Sequence, residues 1–400
     1  MRQTPYYVFD TDEFAKRAAM IRAALDCKGG RRIPLCFSIK ANPFLLHKLP
    51  EGLDHVEVCS PGELEICISL GVKPESIIYS GVMKEKCDIE RAVSYGAGIL
   101  TCESIRHATL ISEVMLESMP EGAHEAEFTE TKAQVILRLT SGNQFGMSFE
   151  DIEYIISHPD EFKGIAVMGI HYYSGTQKSL RKINKDLEKI KTALTGLKEK
   201  YGFEPHLVEY GPGLCVEYFE DDWQEKEKQS LDEAAEVLRE FAVEYPLGIE
   251  MGRFLAASCG KYYTQVKDLK STGDANYAIL DGGIHHLNYF GQRMAMQVPP
   301  ISIYRAAGVE LTQLPDIDYT LCGSLCTVAD VLVREVRLKK LKLGDVLEFG
   351  HCGAYSVTEA PALFLSRQLP AIYAYSKEYG YECLREHIPA AEINLAGKKL

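Results

Sequence analysis

A chain of 400 residues is too long for one ordinary core, so a large domain with a second one is expected. Its 46% apolar and 25% charged residues describe an ordinary globular composition, and no run of about 18 apolar residues marks a membrane span. The net charge of -13 argues against nucleic acid or an anionic membrane surface as the main partner, and fits a cytoplasmic enzyme.

The opening "MRQTPYYVFDTDEF" has no basic region followed by an apolar one, so no signal peptide is read there. Within it, "PYYVFD" is an extra strand before the main repeat, expected to return and pair with a second domain. Eight strand candidates follow: "IPLCFSIKA" (33–41), "HVEVCS" (55–60), "SIIYSG" (76–81), "GILTCES" (98–104), "AQVILRLT" (133–140), "IAVMGIHYYSG" (165–175), "LVEYGPG" (207–213) and "LGIEMGR" (247–253). Helical patterns lie between them, among them "PGELEICISLG", which Gly71 stops, and "KSLRKINKDLEKIKTALTGLKEKYG", which ends at Gly202. Eight strands with crossovers predict a (β/α)8 barrel. After about residue 254, "KYYTQVKDLKS", "ANYAILDGG", "LEFGHCGAYSV" and "AIYAYSKE" follow with little helix and predict an antiparallel β domain. The expected division is a lead-in over 1–24, a barrel over 25–254 and a β domain over 255–400. Two acidic stretches, "ESMPEGAHEAEFTETK" and "YFEDDWQEKEKQS", read as solvated loops.

The 12 cysteines are scattered through apolar runs, which favours reduced core thiols over disulfides. No metal site is expected. Cys322 and Cys326 have no second pair to complete a tetrahedron, and adjacent His285 and His286 would diverge on a strand.

In such a barrel the chemistry gathers at the C-terminal ends of the strands. Lys40, Glu57, Ser60, Arg138, Tyr173, Thr176, Gly211, Gly213, Glu250 and Arg253 all fall at such ends. Lys40 follows an apolar strand and precedes an Asn-Pro turn, which predicts a desolvated amine, a good nucleophile for a carbonyl. "EYGPGL" lets a backbone approach a phosphate at the corner where these barrels bind one. Glu250, a carboxylate in an apolar strand, needs a cationic or hydrogen-bonding partner, and a protonated pyridine would serve. Arg253 is then available for a phosphate or a substrate carboxylate.

Those parts point to pyridoxal 5'-phosphate, and the chain resembles the barrel-type (fold type III) pyridoxal-phosphate decarboxylases, the family of diaminopimelate, ornithine and arginine decarboxylases. "FSIKANP" is similar to the family's Schiff-base motif, "VEVCSPGEL" to its second-strand motif and "GIHYYSGTQ" to its His-x-His-x-Gly-Ser-Gln motif. "YGPGL" stands for its Gly-Gly-Gly run, "EMGR" for Glu-Pro-Gly-Arg, "GSLCTVAD" for Gly-Pro-x-Cys-Glu-Ser-x-Asp, and "GAY" is unchanged. The resemblance implies that Lys40 carries the cofactor and Glu250 pairs with its ring nitrogen. It places Gly211, Gly213, Gly252, Arg253, Thr176 and Tyr355 around the phosphate. It implies a homodimer with shared active sites, in which Cys326 reaches across the interface and protonates the carbon left after carbon dioxide departs. A thiol, with a reference pKa of about 8.5, suits that transfer at neutral pH.

The departures from the family bear on the substrate. Tyr173 replaces a histidine that stacks on the cofactor; it can stack but brings no cationic ring. Thr327 replaces the acid that recognises a distal amine, and Phe364-Leu365 replace a polar pair. In "LNYFGQRM", Tyr289 and Arg293 take the positions of an Arg and a Tyr that hold the distal end of diaminopimelate. Losing a paired charge in a desolvated pocket shifts specificity strongly. The expected substrate is therefore a modified or carrier-protein-tethered amino acid, held through Arg253, Tyr289, Arg293, Thr327 and Tyr355. Diaminopimelate decarboxylation to L-lysine and amino-acid racemisation stay open as alternatives, although a racemase prefers arginine where Glu250 stands. A non-enzymatic regulator and a single-barrel cofactor carrier fit less well, given Lys40, Glu250 and Cys326 together and the long β domain.

Overall fold

The computed structural model describes residues 2–26, 30–118, 132–305 and 311–397. It forms two compact units: Arg17–Cys215 with Glu227–Phe254, and Met1–Lys16 with Val216–Lys226 and Leu255–Leu400. In chain order the first nine strands are β1 (Tyr6–Asp10), β2 (Leu35–Ser38), β3 (His55–Val58), β4 (Ile77–Tyr79), β5 (Ile99–Cys102), β6 (Ala133–Arg138), β7 (Ile165–Tyr173), β8 (Leu207–Gly211) and β9 (Leu247–Met251).

Strands β2 to β9 close into a parallel barrel, the predicted architecture. Short strands such as "IIY" and "LGIEM" are buried along their length, as expected of strands covered on both faces. The side-chain period of two sorts the interior. Cys36, Ile78 and Ile136, with Ile99, Met168 and Leu207, fill an apolar layer. Two residues further along several of these strands stand Ser38, Arg138 and Glu209, so the same inward face turns polar towards the C-terminal ends. The following helices start on local caps. Ser60 Oγ accepts the Glu63 amide at 3.2 Å, Glu63 Oε2 accepts the Cys59 amide at 2.7 Å, and Pro61 opens the helix Pro61–Ser69. The long helix Leu180–Tyr201 ends at Gly202 with φ 65°, a left-handed cap that glycine takes without strain.

The second acidic stretch differs from its reading as a loop, because Trp223–Glu244 is a helix of 22 residues. Leu231, Ala234, Ala235, Leu238, Phe241 and Ala242 bury one face at helical spacing, and buried Glu227 pairs with Arg17. The first acidic stretch lies almost wholly outside the described residues.

The other unit is a nine-stranded sheet. It adds β10 (Gly260–Thr272), β11 (Ala275–Leu280), β12 (Ile301–Tyr304), β13 (Asp316–Cys322), β14 (Val331–Lys339), β15 (Val346–Phe349), β16 (Ala371–Ser376) and β17 (Gly380–Arg385). The order is β14-β13-β11-β10-β1-β16-β17, with β15 joining β10 to β12. Most pairs are antiparallel, but β1 with β16 and β11 with β13 are parallel, so the sheet is mixed. N-terminal β1 sits inside it, antiparallel to β10. Among the described residues no helix is long and apolar enough to cross a membrane.

Candidate active site

Strand β2 stops at Ser38, and Ile39–Ala41 tighten into a 3-10 turn that carries Lys40 over the end of the barrel. Asn42, extended ahead of Pro43, closes the turn, and its side chain accepts the Phe44 amide at 3.1 Å. Lys40 Nζ lies 2.7 Å from Glu57 Oε2, 3.5 Å from Glu250 Oε1 and 3.4 Å from Cys59 Sγ. Its side chain is 35% exposed. The expected apolar enclosure is thus replaced by an ion-pair network, because the neighbouring strands end in carboxylates.

Register explains that meeting. Ser38 on β2 is opposite Glu57 on β3, and Cys36 is opposite Glu250 on β9. Glu250 Oε1 accepts the Ser38 hydroxyl at 2.6 Å, and Oε2 lies 3.1 Å from His171 Nε2. Burial by itself would raise the Glu250 carboxyl, but Lys40, His171 and Ser38 outweigh it and hold it well below the usual carboxylate range. Glu209 behaves oppositely. Burial first, then Glu250 and Glu57, push it well above that range, against the Cys36 thiol and Lys40. The two neighbouring carboxyls are thus pushed in opposite directions.

A second corner forms where β7 and β8 end. A Cβ at Gly211 would sit 2.5 Å from Tyr173 Cδ2, and one at Gly213 would sit 2.1 Å from the Gly175 oxygen, so only glycine fits either place. Gly213 has φ 57°. Thr176, half-buried, follows Gly175 in the loop after β7. Burial, then Glu250, raise the Tyr173 phenol, while Lys40 and Arg253 oppose them, so this ring shares the field of the first corner. Gly252 packs against Lys40's turn, since a Cβ there would be 3.2 Å from Ala41 Cβ and 3.3 Å from Ser38 Cβ. Arg253 opens the next short turn. Lys40, Tyr173, Thr176, Gly211, Gly213, Glu250, Gly252 and Arg253 therefore all belong to the barrel unit, at its C-terminal end.

Cys326, Thr327, Tyr289, Arg293 and Tyr355 belong to the sheet unit. Cys326 and Thr327 are exposed, and Val328 is 100% exposed. Tyr355 is half-buried with φ 68°, and Arg293 is exposed. Tyr289 is buried against Tyr218 and Phe219 and donates its hydroxyl to the Gly350 carbonyl at 2.6 Å. The His285–His286 pair departs from expectation. It lies in a turn, and the rings meet at 3.7 Å between centroids rather than diverging.

Sequence reasoning passed over several residues. His171 and Ser38 grip Glu250, Cys59 reaches Lys40, and buried Lys84 donates to the carbonyls of Gly81 at 2.5 Å and Thr101 at 2.9 Å. Burial pulls that Lys84 ammonium down to about 8. The period-two pattern held a usable signal, since Ser38 lies two before Lys40, His171 two before Tyr173, and Cys59 two after Glu57.

A family model described as pyridoxal-dependent decarboxylase, pyridoxal binding domain, matches residues 11–257. The chain belongs to the pyridoxal-dependent decarboxylases. It is an amino-acid decarboxylase of the diaminopimelate-decarboxylase type, and its cofactor is pyridoxal 5'-phosphate. It is 27% identical over 413 residues to the L-glutamyl-[BtrI acyl-carrier protein] decarboxylase of Niallia circulans, covering 98% of this chain and 93% of that one. It is 29% identical over 352 residues to the 2-[(L-alanin-3-ylcarbamoyl)methyl]-2-hydroxybutanedioate decarboxylase of Staphylococcus aureus, covering 84% and 86%. The fold matches the solved diaminopimelate decarboxylase of M. jannaschii with a TM-score of 0.80 at 23% identity, covering 99% of this chain and 92% of that one.

Proposed function

We propose that this enzyme removes the α-carboxylate of an amino acid whose side chain is modified or tethered to a carrier protein. The loop that follows Cys326 carries this reading. Thr327 and Val328 present no charge, and the loop's acid, Asp330, is buried and occupied. Its Oδ1 accepts the Ile284 amide at 2.8 Å and its Oδ2 the Leu325 amide at 2.7 Å. A distal ammonium group therefore meets no free carboxylate on this loop, and a side chain bearing one would be desolvated without a partner. Two relatives fit: one acts on a glutamyl group borne by an acyl-carrier protein, the other on an alanine-derived amide.

The barrel residues suit the cofactor. Gly211 and Gly213 let the backbone approach a phosphate, and Thr176, Gly252 and Arg253 stand at the same end. Lys40 supplies the amine that attaches it, Tyr173 a flat wall and Glu250 the anion for its ring nitrogen. When bound, pyridoxal phosphate supplies the electron sink that accepts the pair left at the α-carbon as carbon dioxide departs. Ser38 and His171 keep Glu250 charged and aimed, and Glu57 holds the Lys40 amine whenever it is free. Cys326 Sγ holds the proton that replaces the carboxylate, delivered across a homodimer in this reading, and Tyr355 is assigned to the cofactor phosphate. A cytoplasmic location accompanies it.

The test is carbon dioxide release across a panel. It contains diaminopimelate, ornithine, lysine, arginine and glutamate, N-acylated side-chain derivatives, and glutamyl and other aminoacyl thioesters on a carrier protein. Turnover of tethered or acylated substrates at least about tenfold above the free diamino acids supports the proposal. Efficient release from free diaminopimelate, with the conjugates inert, overturns it in favour of L-lysine formation.

A further inference from the structure

Lys178 comes directly after "GIHYYSGTQ", at a position to which the sequence gave no role at the site. It is only 3% exposed. Its Nζ donates to Asp186 Oδ2 at 2.8 Å, to the Gly211 carbonyl at 2.9 Å and to Ser174 Oγ at 3.1 Å. The same ammonium lies 5.0 Å from the ring centroid of Tyr210 and 5.5 Å from that of Tyr173. Its backbone amide donates to the Gly213 oxygen at 2.9 Å. Burial draws its proton affinity below that of an ordinary lysine, against the pull of Asp186.

A buried ion pair is a poor way to add stability, since desolvation offsets most of the Coulomb attraction. The placement here indicates a second use. Lys178 bonds the carbonyl of Gly211, the glycine covered by the Tyr173 ring. It also stands where a Cβ on Gly213 would come within 2.7 Å of its Cε. One side chain therefore touches both glycines of the turn and the aromatic wall beside it. A dianionic phosphate bound at that corner would feel the Lys178–Asp186 pair as a dipole whose positive end is bonded to the turn, in a low-dielectric interior where screening is weak. The aromatic ring that replaces a cationic one thus has a cation behind it, contributed by another residue.

We propose that Lys178 is a positioning residue for the cofactor, its ammonium holding the Gly211–Gly213 turn against Tyr173 and lending the phosphate corner positive charge. Asp186 keeps that ammonium in place from the helix Leu180–Tyr201. The inference concerns cofactor binding and is independent of which amino acid is decarboxylated.

The experiment titrates apoenzyme with pyridoxal phosphate and, separately, with pyridoxal, which lacks the phosphate, following absorbance. Lys178→Met should weaken pyridoxal phosphate by about tenfold or more and pyridoxal by less than about threefold. Should the single variant not fold because Asp186 is left unpaired, Lys178→Met combined with Asp186→Asn removes both charges and reads the same ratio. Unchanged pyridoxal phosphate affinity, or equal loss for both compounds, overturns the proposal and leaves Lys178 a packing residue.

Discussion

Ser38 donates its hydroxyl to Glu250 at 2.6 Å across the seam where the last barrel strand pairs with the first. The bond is buried and charge-assisted, and it lies one turn from Lys40. Ser38→Ala should leave the fold intact and remove about 1.5–3 kcal/mol of support for the Glu250 anion. The expected result is a fall in kcat of about tenfold or more, with pyridoxal phosphate still bound. A variant with wild-type kcat would show that His171 and Lys40 hold Glu250 by themselves.

Lys40→Ala should abolish covalent attachment of the cofactor. Borohydride treatment followed by mass measurement should find the pyridoxyl adduct on the wild type and none on the variant. An adduct of equal yield on another lysine would remove Lys40 from its assigned role.

Cys326→Ala should keep the cofactor and its absorbance while turnover falls by about 10²-fold or more, the range expected for a positioned proton donor. The exposed thiol should also make the wild type sensitive to alkylation, with inactivation slowed by substrate. Undiminished decarboxylation by the alanine variant would assign the proton to another group.

Thr327→Glu places a carboxylate beside Cys326, where the loop has none free. The ratio of kcat/KM for free diaminopimelate over acylated substrates should rise by about tenfold or more. No change in that ratio would mean the distal end of the substrate lies elsewhere.

Stability should fall on mild acidification. Burial lowers His285 to about 4 and His286 well below the ordinary histidine value, with Arg367 opposing the charge on His285 and His285 that on His286. Both rings are neutral in the folded state and take protons more readily when unfolded. Their contribution is complete above about pH 6.5 and is lost as pH falls towards about 4. His107, lowered to about 4 by burial and Lys84, acts in the same direction. Asp330, raised by burial, and Glu209, raised by burial and its neighbouring carboxylates, have the opposite sign. Thermal melts from pH 8 to 5 should show a falling Tm, and His285→Gln should flatten the slope. An unchanged slope in that variant would exclude His285 as a source.

The barrel was legible because each strand is a short apolar run between turn residues, a local property of composition. Lys40, Glu250 and the Gly-Pro-Gly turn stood out for the same reason, as residues that a buried strand end does not tolerate without cause. The reading failed where a residue's fate depended on distant neighbours. Trp223–Glu244 looked like an acidic loop because its charge count hides one buried face.

Linear order by itself pointed to the architecture, through periodicity, and to the cofactor class, through residue types at strand ends and the motifs shared with the family. Tertiary structure decided which charges meet. Closing the barrel brings β9 beside β2, more than 200 positions apart, so Ser38 and His171 fix the charge of Glu250, and Glu57 pairs with Lys40. Ionisation depends on distance and burial, and neither is a property of any stretch of chain read alone.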